Sequence, residues 1–209
     1  METTLLPVPL APEISLHLAD GGVGLFDGTG GAFSSDVPPP FWLFVWAGGQ
    51  ALARHVLDHP EIVRGRTVLD VASGSGVAAI AAGRAGASRV TALDVDPLAA
   101  AAAARNAAAN QVVVDTLTAD IAEEDMSADV ILAGDVFYTR TVADRMAARL
   151  RRAGREGARI LVGDPGRGYF PERMFTQVAE YVVPVPAALE ETEALVTGVW
   201  EMRVTPPGK

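Results

Sequence analysis

The segment Leu69-Asp70-Val71-Ala72-Ser73-Gly74-Ser75-Gly76 ends an apolar run with an acid and then alternating small residues. Glycines at such a turn let the backbone pass close to a ligand and present amide groups at a helix N-terminus. A second acid, Asp94, follows 18 residues after Gly76. In doubly wound sheets a carboxylate at that spacing accepts hydrogen bonds from ribose hydroxyls. A glycine turn followed by a helix cap over Asp94 to Pro97 is the plainer alternative. Strand, glycines and spaced acid occur together here, which favours a nucleotide site.

The pattern Gly74-x-Gly76-x-x-Ala79 nearly matches the dinucleotide fingerprint, so a nicotinamide-dependent oxidoreductase is one reading. Two features oppose it. Asp70 lies inside the motif, where its charge sits badly beside a pyrophosphate but suits a cationic amino-acid moiety. The chain also leaves no room for a separate substrate domain. The methionine part of S-adenosylmethionine fits both observations, and this cofactor is favoured.

The elements that must position these residues alternate. Helix is expected over Gly49–Asp58, closed by Pro60. Strands are expected over 67–71, 89–94, 112–118, 129–133 and 159–162. Helices are expected over 77–85, 97–110 and 140–153, the second opened by Pro97 and the third stopped by Gly154. A short helix around 171–178 precedes two late β segments at 181–185 and 196–204, which read as a hairpin. Strands alternating with helices of this length imply a parallel sheet covered on both faces. Residues 1–40, rich in proline and glycine, read as an irregular lead-in with a short strand near Ile14 to Leu18. Residues 41–209 form one catalytic domain, as a chain of 209 residues allows. A lid formed by the first 36 residues is an attractive way to exclude water, but no residue there compels it.

Composition narrows the function classes. With 17 basic and 26 acidic side chains, the formal charge is −9. Such a field repels phosphate backbones and anionic lipid, and suits a basic protein surface or a lysine presented by another protein. Neither nucleic acid nor membrane is expected as a partner. Cysteine is absent, which removes disulfides, thiolate zinc sites and cysteine nucleophiles. His17, His55 and His59 show no metal spacing with nearby carboxylates and read as solvated surface, so no metal is expected. Met1-Glu2-Thr3-Thr4 lacks the basic region of a secretory signal. The longest uncharged run, Val37 to Ala53, falls short of the roughly 18 apolar residues of a membrane span and is broken by prolines. A soluble, cytoplasmic protein is expected.

The set Asp70-x-Ala72-x-Gly74-x-Gly76 followed by Asp94 resembles the seven-stranded class I methyltransferases, whose first motif is an acid followed by alternating glycines. Ala72 stands where the first glycine is usual. The resemblance implies an α/β fold, a doubly wound, mostly parallel seven-stranded sheet with a C-terminal antiparallel hairpin. It implies that Asp70, Ala72, Ser73, Gly74, Gly76, Asp94 and Gly134 bind the cofactor, that Asp120 meets the adenine amino group and that Trp46 covers the site. Gly134-Asp135-Val136-Phe137-Tyr138 resembles the Asp-x-x-Phe/Tyr motif of protein lysine methyltransferases with this fold. It differs from the Asn/Asp-Pro-Pro-Tyr motif of adenine and glutamine methyltransferases.

Further motifs resemble one branch, the electron transfer flavoprotein β-subunit lysine methyltransferases. They are Pro39-Pro40-Phe41-Trp42, Val45-Trp46-Ala47-Gly48-Gly49-Gln50-Ala51-Leu52, Pro60-x-x-Val63-Arg64-Gly65 and Gly163-Asp164-Pro165-Gly166-Arg167. Ala47 departs from the proline common in that branch. The implied partner is electron transfer flavoprotein β-subunit; a ribosomal protein or a small amine is the alternative acceptor. Asp135 and Tyr138 are then the candidate catalytic and substrate-binding residues. Asp135 draws in the lysine ammonium, which must lose its proton from a group with an ordinary pKa near 10.4 before attack. The alternative for Asp135 is an N-cap of the helix beginning at Arg140. Arg167 contacts the protein substrate or braces Asp164.

Overall fold

The computed structural model describes residues 3–19, 40–121 and 123–203. The stretch 20–39, which carries the second part of the candidate lid, lies outside the described residues, as does Val204. An N-terminal hairpin of β1 (Thr4–Pro7) and β2 (Ser15–Leu18) comes first. The chain then runs α1 (Ala47–Asp58), β3 (Thr67–Val71), α2 (Val77–Arg84), β4 (Arg89–Asp94), α3 (Pro97–Ala109) and β5 (Asp115–Thr118). It continues through β6 (Val130–Gly134), α4 (Arg140–Arg155), β7 (Arg159–Asp164), β8 (Phe175–Pro184), the one-turn α5 (Ala187–Glu190) and β9 (Ala194–Met202).

Seven strands form one sheet in the order β5-β4-β3-β6-β7-β9-β8. The first five are parallel, and β9 runs antiparallel between β7 and β8. The chain reverses its direction of travel across the sheet between β3 and β6. Ligands of doubly wound sheets bind at the carboxyl ends of the strands flanking such a switch. Helices α1, α2 and α3 cover one face, burying Leu52, Ile80 and Ala103; α4 covers the other, burying Met146 and Leu150 beside Phe137 and Phe175. Among the described residues, no helix is long and apolar enough to cross a membrane.

Local departures from the expected elements have physical causes. Residues 3–19 are not irregular: the hairpin buries Val8, Ile14 and Leu16 in the main core. Asn106 and Asn110 of α3 bond its backbone, the Asn106 Oδ1 accepting from His17 N at 2.8 Å and the Asn110 Oδ1 from Ser15 N at 3.0 Å. Of the short helix expected over 171–178 only a 3-10 turn at Glu172–Met174 forms; from Phe175 the chain is strand, because it pairs with β9 and tertiary pairing ends the helix there. Gly154 does not stop α4; it lies inside the helix, where a Cβ would meet Met202 Sδ at 3.2 Å. Gly157, at φ +108°, follows the real end. His55 is buried rather than solvated, with Nδ1 3.2 Å from the Tyr181 hydroxyl.

The N-terminal turn of α1 crosses the carboxyl ends of β6 and β7 at backbone contact. A Cβ on Gly48 would strike the Gly163 carbonyl, and one on Gly134 would lie 2.8 Å from Gly49 N. Gly163→Ala is expected to destabilise the fold by about 1–3 kcal/mol, the usual penalty of forcing extra atoms into a packed contact. Urea denaturation measures this, and an unchanged midpoint would show that α1 retreats freely.

Candidate functional site

Asp70 is the last residue but one of β3, and its Oδ2 accepts from Ala79 N in the first turn of α2 at 3.0 Å. The side chain is buried, and that burial pushes its carboxyl up to about 7, with the Ala79 hydrogen bond opposing and the Asp94 charge adding to the rise. Asp94 closes β4. Its Oδ2 accepts from Gly74 N at 2.9 Å and its Oδ1 from Asp96 N at 3.0 Å. Burial raises this carboxyl as well. A carboxylate has about four lone-pair positions, so each Asp94 oxygen keeps capacity for a ligand hydroxyl. Asp96, not Asp94, caps α3, accepting from Leu98 N at 2.8 Å.

Between these acids the chain turns through left-handed backbone at Ala72 (φ +52°) and Gly74 (φ +52°). Ala72 occupies a conformation that strains any side chain, by roughly 1–2 kcal/mol. Ser73 Oγ is buried without a partner in the turn. Gly76 faces away: it precedes α2 and presses on α3, where a Cβ would lie 2.9 Å from Ala103 Cβ. A cleft opens here, lined by Asp70, Ala72, Ser73 and Gly74 on one side and Trp46, Gly134 and Asp135 on the other.

The second half of the site gathers around Asp135, also at positive φ (+54°). Its Oδ2 accepts from Gly48 N at 2.6 Å and Gly49 N at 3.3 Å. Asp135 therefore caps α1, whose own N-cap residue, Trp46, offers no side-chain acceptor. It does not cap α4; Thr139 does, accepting from Val142 N. Asp135 Oδ1 accepts from Arg167 Nη2 at 2.9 Å. Burial lifts the Asp135 carboxyl to about 6, although Arg167 and the α1 amide at Gly48 pull it down. Arg167 also pairs with Glu190, through Nη2 at 2.6 Å, and its Cζ lies 5.9 Å from the centroid of the Trp46 ring.

Aromatic rings rim the cleft. Phe41 lies 5.8 Å from Trp46 and 6.0 Å from the half-exposed Tyr138, centroid to centroid. Burial, with the Asp94 charge adding to it, raises the Tyr138 hydroxyl. Asp164 is buried; its Oδ1 accepts from Gly166 N and Arg167 N at 2.8 and 2.7 Å, so the backbone of the Arg167 loop, rather than its guanidinium, braces it. Asp120 pairs with Arg145 of α4 at 2.8 Å and is not among the residues lining the cleft.

Sequence reasoning missed Glu190, 23 residues from Arg167, and Asn106, whose Nδ2 donates to Ser75 O at 2.9 Å and steadies the turn. Neither carries a local signal; only the fold brings them in. Among the described residues, no cluster of three or more His, Cys, Asp or Glu is placed to hold a metal ion.

These features fit a ligand with a cationic amino-acid end and a ribose. Among the described residues the buried acid Asp70 has no counter-ion and the buried Ser73 hydroxyl has no partner, and the turn between them carries little side chain. The Asp70 carboxyl also sets a pH dependence. An unfolded aspartate titrates near 4, so the folded state binds the proton more tightly from about pH 4 to about 7. Asp70 thus favours the fold in acid and opposes it as pH rises through about 7. In thermal melts of the ligand-free protein from pH 5 to 8, Asp70→Asn is expected to flatten the decline in stability. An equal or steeper decline than wild type would contradict this assignment.

The family described as "Ribosomal protein L11 methyltransferase (PrmA)" matches residues 51–162. The electron transfer flavoprotein beta subunit lysine methyltransferase of Rattus norvegicus is 39% identical over 169 residues, covering 78% of this chain and 66% of the rat protein. Its namesake from Danio rerio is 36% identical over 204 residues, covering 94% of this chain and 78% of the fish protein. The solved magnesium protoporphyrin IX methyltransferase from Synechocystis PCC 6803 with bound S-adenosylmethionine superposes with a TM-score of 0.56 at 17% identity, over 75% of this chain and 79% of that one, a likeness of fold. With the sheet order and the two half-sites in place, the chain belongs to the electron transfer flavoprotein β-subunit lysine methyltransferase family of class I methyltransferases.

Proposed function

We propose that this protein is an S-adenosylmethionine-dependent protein-lysine N-methyltransferase whose acceptor is the electron transfer flavoprotein β-subunit. The observation that carries the reading is the meeting of two half-sites at one edge of the sheet. A glycine turn flanked by Asp70 and Asp94 faces an acid-and-aromatic rim of Asp135, Trp46 and Tyr138. The named relatives supply the acceptor. The excess of acidic side chains suits a lysine-bearing protein surface and disfavours nucleic acid. A soluble cytoplasmic setting is part of the same proposal.

S-adenosylmethionine, when bound, supplies an electrophilic methyl group on a sulfonium. Asp70 is assigned to the cationic end of the cofactor, Asp94 to the ribose hydroxyls, and Ala72, Ser73, Gly74 and Gly134 to backbone approach along it. Gly76 acts one step removed, by seating α2 on α3. Asp120 is assigned to the adenine amino group on the family resemblance alone. Trp46 covers the cleft, held by its Nε1 donating to Phe41 O at 2.9 Å.

At the acceptor end, Tyr138, Phe41 and Trp46 offer ring surface to the aliphatic stem of a lysine. The carboxylates beyond them draw in its ammonium. Asp135 does this while both its oxygens are already engaged, so it contributes charge and alignment rather than a free proton acceptor. In-line methyl transfer depends on holding the two reacting atoms in register, and fixed side chains supply that.

Purified electron transfer flavoprotein incubated with labelled S-adenosylmethionine and this protein is expected to gain mass on β-subunit lysines. Cofactor binding without transfer would discard that acceptor and move the search to ribosomal proteins and small amines. Tight NADH binding in its place would establish an oxidoreductase. Two variants separate the half-sites. Asp94→Ala should weaken cofactor binding by about 1–3 kcal/mol on calorimetry, through lost charge-assisted bonds. Asp135→Ala should lower turnover more than cofactor affinity; equal loss of both would place it in the cofactor half alone.

A further inference from the structure

The Arg167 guanidinium stands between two carboxylates delivered from separate loops. Nη1 and Nη2 donate to the Glu190 oxygens at 3.0 and 2.6 Å, while Nη2 and Nε donate to Asp135 Oδ1 at 2.9 and 3.3 Å. The fork therefore spends its bidentate face on Glu190 and an edge on Asp135. Little of this is in water: the Asp135, Glu190 and Arg167 side chains are 10%, 11% and 23% exposed. Trp46 lies against the same guanidinium. Glu190 comes from α5, between β8 and β9, whereas Arg167 and Asp135 follow β7 and β6.

An ion pair this shielded is not explained by stability alone, since desolvating three charged groups offsets most of their attraction. Its geometric consequence is specific. With its Nη1–Nη2 edge shared with Glu190, and Asp135 Oδ2 held by the α1 amides, the guanidinium meets Asp135 through Oδ1 alone, and its single charge is divided between two carboxylates. The balance also tips. Asp135, Asp164 and Glu190 are three acids close to one arginine, and the Asp164 charge is felt at Asp135. Three acids against one arginine leave the group net negative, beside the Trp46 rim that the proposed function assigns to the lysine.

We infer that Glu190 is a positioning residue for the acceptor amine: it holds Arg167 against Trp46 and keeps the Asp135 end of the cleft net negative toward a lysine ammonium. This rests on the lysine methyltransferase reading above. Glu190 does not itself line the cleft; it acts through Arg167, which bonds Asp135 and lies against Trp46, two residues that do line it. Its reach through Arg167 is to the Asp135 and Trp46 side of the cleft, which places its effect on the acceptor.

The test compares wild type, Glu190→Gln and Glu190→Asp in steady-state methylation of purified electron transfer flavoprotein, with calorimetric S-adenosylmethionine binding and thermal melts alongside. Glu190→Gln keeps the shape but loses the charge. It is expected to raise KM for the protein acceptor about tenfold, to change kcat much less, and to leave cofactor affinity at the wild-type value. Glu190→Asp, which restores the charge on a shorter stem, is expected to recover part of the KM. An unchanged acceptor KM in Glu190→Gln overturns the inference. So does a parallel fall in cofactor affinity and kcat, which marks a structural tie between loops. If wild type itself methylates no lysine, the underlying reading falls too, an outcome told apart by the wild-type arm.

Discussion

The N-terminal turn of α1 has no acceptor of its own for its free amides, and it obtains one from Asp135, 87 residues further along the chain. Everything on the acceptor side follows from that bond. It seats Trp46 at the mouth of the cleft and commits one Asp135 oxygen to the helix, leaving the other for Arg167. The approach is possible because Gly48, Gly49, Gly134 and Gly163 meet without side chains, so a helix end rests directly on two strand ends. A carboxylate at a helix N-terminus is favoured by the local dipole, yet Asp135 remains raised toward about 6 because burial outweighs the favourable partners. The site is thus assembled around a charge that the fold partly resists.

The cofactor side is built on a similar tension. Among the described residues Asp70 has one amide partner and no cation beside it, and Ala72 holds a left-handed backbone that glycine adopts without strain. Both sit at the carboxyl end of β3, beside the switch point of the sheet. Strain and unpaired charge cluster at sites that bind something else. A ligand carrying a positive group beside Asp70 supplies the counter-charge that the protein lacks there.

Much of this was legible in the sequence, for local reasons. The glycine turn, Asp94 and the Pro97 helix start are encoded within a few residues of where they act. Strands β3, β4, β6 and β7 are runs of β-branched and aliphatic residues bounded by turns, and α2, α3 and α4 carry long helix-forming stretches. The failures share a cause. The segment 171–178 has helix formers at its start, but strand β9 claims it. Gly154 is a reasonable stop by type, yet it is a packing residue, and Gly157 three residues later takes the positive φ. Val112 to Val114 read as strand but pack as a loop, so β5 begins only at Asp115. At the site, Asp135 and Arg167 carry local signals that make them candidates, whereas their mutual bond, the α1 cap and the Glu190 partner depend on contacts across 23 to 87 residues. No local spacing encodes them.

Asn106 joins parts of the molecule that look unrelated. One end of its buried amide holds Ser75 O in the glycine turn; the other receives His17 N from the N-terminal hairpin. The first strands of the chain and the cofactor turn are therefore one mechanical unit, separated by a single side chain. An affinity tag, a fusion or a trimmed N-terminus is not a neutral convenience in this protein. Through Asn106 it reaches the loop assigned above to the cofactor, and the backbone amide of His17 would report whether that loop is in place.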